Sequence, residues 1–171
     1  METSYIITFI GEDRPGLVEQ LSSVIENNRG NWLESRLSQL GGKFTGLILV
    51  SLPDDSGTVL EADLKALSSS GLSVRVTAIV GSAVSAPGRD ITLSVMGPDR
   101  LGIVREISRA LADRQINVVE MDSHVSSAPM SAESIFTARI DAQIPDSTDM
   151  DDLSDTLDEI ANTMTLEIDL E

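Results

Sequence analysis

Cysteine is absent from the 171 residues of this chain, and aromatic residues make up only 3% of it. The first absence excludes disulfides, thiolate metal ligands and thiol nucleophiles. It is typical of a reducing compartment, and we expect a cytoplasmic protein. The hydrophobic share of 41% is that of a folded chain, and with so few aromatic residues the core must be aliphatic.

Long apolar runs are also missing. No run approaches the roughly 20 residues that a membrane-spanning helix needs. The N-terminus, Met1-Glu2-Thr3-Ser4, lacks the basic segment and the long apolar segment of a secretory signal. We therefore expect neither a signal peptide nor a membrane span.

Basic residues are few, with 12 Lys and Arg against 28 Asp and Glu, and the formal net charge is −16. Proteins that bind nucleic acids normally carry a basic patch that neutralises phosphates. Here no Lys or Arg occurs between Asp141 and Glu171. We expect no direct contact with nucleic acid or with an anionic membrane. The acidity serves solubility or forms a face for a basic partner.

One short phrase occurs twice in the chain. Gly-Glu-Asp-Arg-Pro-Gly-Leu-Val begins at Gly11, and Gly-Pro-Asp-Arg-Leu-Gly-Ile-Val begins at Gly97, 86 residues later. A period this long in a chain of this length indicates two copies of one domain. Any site built on the phrase therefore comes as a related pair.

The pattern around each phrase predicts the same order of elements. Tyr5 to Ile10 is a β-prone run before the first phrase, and apolar residues at helical spacing follow it. Gly41-Gly42 indicates a hairpin, after which a second helix and a fourth strand follow. The second copy repeats this order. We predict an α+β fold of two ferredoxin-like β-α-β-β-α-β units, each an antiparallel sheet with both helices on one face.

The composition between the copies predicts the domain boundaries. Gly, Ala, Ser and Pro are frequent at residues 81–89, which is typical of a short flexible linker. We predict a first domain at residues 1–80 and a second at residues 90–171.

The phrase lies between the first strand and the first helix, where a helix N-terminus presents free N–H groups and a partial positive charge. This position can hold an anion. We expect Gly16 and Gly102 to let a ligand approach the backbone, because they lack a Cβ. We expect Gly11 and Gly97 to permit a sharp exit from the strand. Pro15 suits the first helical turn.

Charged residues of the phrase could serve a ligand or the helix. Arg14 and Arg100 can bind a carboxylate. Asp13 and Asp99 can accept N–H groups as helix caps or receive a ligand ammonium. An anion site beside a carboxylate fits a zwitterionic amino acid. The same pattern without a ligand is a turn with a capped helix, and that interpretation stays open.

The repeated phrase, in two tandem units that leave little other chain, resembles that of tandem ACT-domain proteins, most closely the glycine cleavage system transcriptional repressor type. The resemblance extends from about Tyr5 to Leu170. ACT domains are regulatory and commonly bind amino acids where two modules meet, through the loop between the first strand and the first helix. The resemblance also places the Asn that starts each second strand near the same ligand space. It implies these ligand-binding residues: Gly11, Asp13, Arg14, Gly16, Leu17, Asn31, Gly97, Asp99, Arg100, Gly102, Ile103 and Asn117.

The resemblance implies a non-enzymatic protein that binds a small amino acid, with glycine as a candidate. Such a protein controls amino-acid metabolism or transcription through contact with another regulatory protein. We expect a homo-oligomer, in the simplest case a dimer. Two alternatives stay open: an ACT-type interaction module whose loops only cap helices, and an accessory subunit of an amino-acid or folate enzyme.

No other residues form a convincing site. His124 is the only histidine, and it lies where the first copy has Ser38, on the polar face of a strand. It lacks the partners of a catalytic or metal-binding histidine, so we interpret it as a surface or interface residue. The acidic residues between positions 149 and 159 lack the spacing of a cation-binding loop and are typical of a solvated helix face. We predict no catalytic residue, no metal site and no cofactor.

Overall fold

The computed structural model of the chain describes residues 2–81 and 87–171. These residues form two compact units, one before and one after the undescribed stretch. Within each unit the chain runs strand, helix, strand, strand, helix, strand. This order confirms the predicted ferredoxin-like architecture.

The first unit contains four strands, two helices and a short 3₁₀ turn. Their bounds are β1 Glu2–Glu12, α1 Leu17–Asn27, β2 Asn31–Leu40, β3 Lys43–Pro53, α2 Gly57–Lys65, the 3₁₀ turn Ala66–Ser70 and β4 Ser73–Ala78.

The second unit repeats these elements without the 3₁₀ turn. Their bounds are β5 Gly88–Pro98, α3 Ile103–Ala112, β6 Asn117–Ser127, β7 Ser134–Pro145, α4 Met150–Met164 and β8 Glu167–Leu170.

Each sheet is antiparallel and has its first strand in the interior. The strand orders are β2-β3-β1-β4 and β6-β7-β5-β8. Because side chains alternate across a strand, one face of each sheet is buried under the helices and the other remains open. In β5, for example, Ile91, Leu93 and Val95 are at most 8% exposed, whereas Ser94 and Met96 between and after them are exposed.

Each unit has its own aliphatic core. The helical faces that start at Leu17 and Ile103 pack on the sheets, and both of these residues are buried. Phe9 and Phe136 are the only aromatic residues among the buried hydrophobic side chains of the described chain. The scarcity of aromatic residues in the sequence therefore correctly predicted an aliphatic core.

The predicted linker at residues 81–89 lies for the most part outside the described residues. Gly88 and Arg89 are described, and both are already part of β5. They pair there with Pro145 and Ile144. The second domain thus starts its first strand earlier than the apolar run at Ile91 indicated, because polar residues can extend a strand by backbone pairing alone.

The two units fill one position beneath the second helix differently. In the first unit, the ring of Tyr5 lies over Gly57, where an added Cβ would come within 2.4 Å of Cε1. In the second unit Ile91 stands in place of the tyrosine, and Met150 stands in place of the glycine, three residues before the first buried leucine of the helix. The first unit thus combines a large residue on the strand with a glycine on the helix. The second unit combines a smaller residue on the strand with a large residue on the helix.

We expect Gly57→Ala to lower the free energy of unfolding by about 1–3 kcal/mol, the usual cost of overpacking. In a Tyr5→Ile background the same substitution should cost less, because the smaller side chain leaves the space that Met150 fills in the second unit. Chemical denaturation of both single variants and the double variant measures this coupling. Equal costs in the two backgrounds would contradict the packing described above.

Candidate functional site

Each repeated phrase forms the turn by which the chain passes from a central strand into a helix. Gly16 immediately precedes α1 with φ 85° and ψ −1°, and Gly102 precedes α3 with φ 94° and ψ 0°. These angles are those of the third residue of a type II turn, which favours glycine. An added Cβ at either glycine would have no atom within 4 Å, so the backbone conformation explains the glycine and open space adjoins it.

The sequence predicts Pro15 in the first helical turn. The structure places it before the helix, because α1 begins only at Leu17. It stands at the second position of the turn instead, where its fixed φ is equally suitable. The second copy has Leu101 at this place, and its side chain is 99% exposed. The proline thus stabilises a turn that both copies make.

The expectation of a sharp strand exit at Gly11 and Gly97 is wrong. Both residues lie inside their strands and pair with Phe44 and Phe136. A Cβ on Gly97 would come within 2.7 Å of the carbonyl oxygen of Thr165, where the chain crosses before β8. Gly97 therefore allows a close approach of two backbone segments, whereas the backbone atoms nearest to a Cβ on Gly11 are at 3.5 and 3.6 Å.

The capping role considered for Asp13 and Asp99 is not observed. Neither α1 nor α3 receives a side-chain hydrogen bond at its N-terminus. By contrast, Asp149 caps α4 by accepting from the N–H groups of Asp151 and Asp152 at 3.0 and 3.2 Å. At the starts of α1 and α3, by contrast, an exposed aspartate lies three residues before the glycine, and its carboxylate caps no helix.

An uncapped helix alone does not identify a site, since α2 also begins at Ser56 without a side-chain cap. The starts of α1 and α3 additionally have an arginine two residues before the glycine. Arg14 is half-buried and donates to Oε1 of Gln20 at 2.7 Å. Arg100 is exposed, and within the described residues its side chain shows no hydrogen bond or ion pair. Its neighbour in the position of Gln20 is Glu106, so the two loops differ in charge.

Leu17 and Ile103 point away from the loops. Their side chains are 3% and 2% exposed and belong to the two cores. They anchor the first turn of each helix, and only their backbone groups face the loop side. A ligand at this position would meet their N–H groups and not their side chains.

The two asparagines lie far from the phrases of their own units. Asn31 pairs with Ser51, which pairs with Ser4 on β1. Ser4 precedes Gly11 by seven residues, or about 23 Å along a strand. Asn117 is related to Gly97 in the same way, through Gln143 and Asp90. Within one unit the asparagine and the phrase do not share a ligand space, because β2 and β6 start at the opposite end of the sheet. A space shared between neighbouring units stays a prediction.

Besides a cavity of about 710 Å³ between α3 and α4, two cavities involve residues outside the phrases. One of about 660 Å³ lies beside α2 and includes Tyr5, Glu61 and Lys65. The Lys65 ammonium donates to the Glu61 carboxylate, which lowers the pKa of Glu61. The other, of about 360 Å³, lies on the open face of the second sheet and includes His124, which is exposed as expected. The sequence offered no signal for the first cavity, because its polar groups come from three separate elements.

Within the described ranges, no group of three or more His, Asp or Glu side chains is placed to hold a metal ion. None of the helices there has the length and apolar character needed to cross a membrane.

Two family models match the chain. One model of the ACT domain matches residues 3–77, and another matches residues 91–158. Each match falls in one of the two units, and each begins close to the strand that precedes the phrase. No curated protein matches the sequence.

Solved structures that are similar over the full chain include the following two. An unknown protein from Galdieria sulphuraria is 28% identical, with a TM-score of 0.87 over 100% of this chain and 98% of that chain. A candidate glycine cleavage system transcriptional repressor is 20% identical, with a TM-score of 0.72 over 100% of this chain and 97% of that chain. The second likeness shows a shared fold.

We expect Gly97→Ala to lower the free energy of unfolding by about 1–3 kcal/mol, because the new methyl group meets backbone atoms that cannot rotate away. Gly11→Ala is the matched control. Its nearest contact is the flexible Cδ1 of Leu72 at 3.0 Å, so it should cost less. Denaturation of the two variants side by side measures the difference, and a larger cost at Gly11 would contradict this account.

Proposed function

The chain belongs to the ACT domain family, and on that premise we propose that it is a regulatory protein without catalytic activity, which binds a small amino acid. We further propose that it controls amino-acid metabolism or transcription through contact with another regulatory protein. Its net charge of −16 favours a protein partner over nucleic acid. The glycine cleavage system type that the sequence resembles makes glycine the first ligand to test.

The observation that carries this proposal is the pair of uncapped helix starts with an arginine and an aspartate beside them. The first N–H groups of α1 and the guanidinium of Arg14 would bind the α-carboxylate of the ligand. Asp13, which makes no cap, would accept from the α-ammonium. Arg100 and Asp99 would act likewise at α3. The open space beside Gly16 and Gly102 leaves room for a small ligand.

Asn31 and Asn117 would have to come from a neighbouring unit. Strands β2 and β6 each form one edge of their sheet, and all eleven residues of β6 are exposed. Such a long edge presents unpaired backbone groups to another strand. Three apolar residues lie on its helix side, and they are 40%, 40% and 53% exposed: Val118, Met121 and Val125.

Antiparallel pairing of two such edges places the start of one strand beside the end of the other. The end of β2, at Leu40, lies at the same end of the sheet as the loop that contains Gly16. An ACT unit from another copy of the chain, added antiparallel at this edge, would therefore bring its own asparagine to the loop. This arrangement supports a homo-oligomer whose ligand sites form where units meet.

A ligand held by two units couples binding to association. It favours the associated state only to the extent that it binds that state more tightly. Association must in turn raise the affinity for the amino acid by the same factor. A partner protein that recognises one of the two states would then respond to the amino-acid concentration.

The alternative of a pure interaction module gave Asp13 and Asp99 the role of helix caps. The absence of those caps removes the explanation which that alternative gave for the two residues. Titration with amino acids distinguishes the two functions directly.

We expect calorimetric titration to show heat of binding with glycine or another small amino acid. Arg14→Gln with Arg100→Gln should weaken binding by about tenfold or more, because a hydrogen bond to a charged group contributes about 1.5–3 kcal/mol. Arg105→Gln, an exposed arginine of α3 outside the phrase, is the matched control and should bind like the wild type. Absence of heat and of any thermal shift with every amino acid tested would contradict the proposal.

A second prediction concerns the edge. Met121→Lys places a charge on the helix side of β6 and should lower the average mass of the assembly by preventing edge pairing. It should also weaken amino-acid binding. Met130→Lys makes the same substitution at a fully exposed hairpin residue and should leave both quantities unchanged. Equal behaviour of the two variants in light scattering and calorimetry would contradict edge pairing at β6.

A further inference from the structure

The open faces of the two sheets have diverged, although the sheets themselves correspond strand by strand. Pairing of Ile7 with Ile48 in the first unit matches pairing of Leu93 with Ile140 in the second. This register identifies the equivalent open-face positions in the two units. At four of them the first unit has Ile6, Ile10, Leu47 and Leu49, where the second has Thr92, Met96, Arg139 and Asp141.

The open face of the first unit is an aliphatic patch. Ile6 lies directly opposite Leu49, and Leu47 lies one step along the same strand face, within reach of both. Ile10 and Leu47 are each 48% exposed. Charged groups lie around the patch, and four of them form the ion pairs Glu34–Arg36 and Glu12–Lys43. The patch is therefore mainly aliphatic, with Thr8 as a polar residue opposite Leu47, and it is nearly neutral at its margin.

Three of the four equivalent positions of the second unit form a polar network, whereas the fourth, Met96, is apolar and 50% exposed. Thr92 donates to Oδ1 of Asp141 at 2.6 Å, and Arg139 donates to the same oxygen at 3.2 Å. Two further carboxylates of this face, Glu167 and Asp169, lie on β8 and line its cavity. This face is satisfied in water and would lose hydration if an apolar surface covered it.

These differences point to the occupant of the aliphatic patch. The acidic open face of the second unit is a poor match, because its carboxylates would be desolvated against aliphatic side chains. The patch of a second copy is a good match, because it offers aliphatic groups at the centre and paired charges of both signs at the margin. Sheets that stack in this way lie about 10 Å apart.

The size of the face is sufficient for such a contact. A face of four strands covers about 600 Å² per copy at ordinary strand spacings. Two faces together would bury about 1,200 Å², which is at the lower end of specific, stable interfaces. We infer that two copies of this chain associate through the open face of their first units, sheet against sheet, with Leu47 and its neighbours at the centre.

The test exchanges the patch for the polar set of the second unit. The variant Ile6→Thr/Leu47→Arg/Leu49→Asp introduces the same hydrogen-bonded arrangement that the second sheet already has, so it should fold. Its mass in sedimentation equilibrium at micromolar concentration should be half that of the wild type. Thr137→Arg, which adds the same charged group to the open face of the second unit, is the control and should leave the mass unchanged.

Two results would overturn the inference: a triple variant with the mass of the wild type, or a wild type that stays a single chain at every concentration. Leu47→Arg alone provides the same comparison if the triple variant does not fold, as judged by circular dichroism. The inference is independent of the proposed ligand. Heat of amino-acid binding should persist in the triple variant, so loss of stacking and loss of ligand binding are separate outcomes.

Discussion

The left-handed backbone of Gly16 and Gly102 is the constraint on which the candidate sites depend. It turns the chain from a central strand into a helix within a few residues. The next residue, Leu17 or Ile103, is buried in the core and fixes the helix to the sheet. The N–H groups of that first turn are consequently held at one end of the sheet, uncapped, beside an aspartate and an arginine. A residue with a Cβ would strain this conformation, and the orientation of the helix start would change with it.

Periodicity and repetition were sufficient to predict the fold. The helical spacing after each phrase and the hairpin at Gly41-Gly42 are local signals, and the 86-residue offset showed that both halves fold alike. The position of Asn31 could not be read in this way. Its distance from Gly11 depends on the pairing of β2 with β3 and of β3 with β1, which involves residues far apart in sequence. The role of Gly97 was likewise hidden, because the backbone that it approaches belongs to Thr165.

Because the chain contains two copies of one fold, each feature of one unit can be compared with the equivalent feature of the other. The cores and the two turns are shared, as expected for parts that folding requires. The surfaces have diverged, with Gln20 against Glu106 beside the loops and Leu47 against Arg139 on the open faces. A difference at equivalent positions of one fold cannot be ascribed to the fold itself. The two proposals explain these differences as different contacts of the two units with ligand or with protein.

The central claim is that an amino acid binds at the starts of α1 and α3. A titration of the ¹⁵N-labelled chain with glycine, followed by amide chemical shifts, tests it most directly. The account predicts that the signals of Gly16, Leu17, Gly102 and Ile103 shift together in a saturable manner, while that of Gly57, at the uncapped start of α2, stays in place. Unchanged loop signals, or shifts centred on Gly57 and the cavity beside it, would contradict the claim.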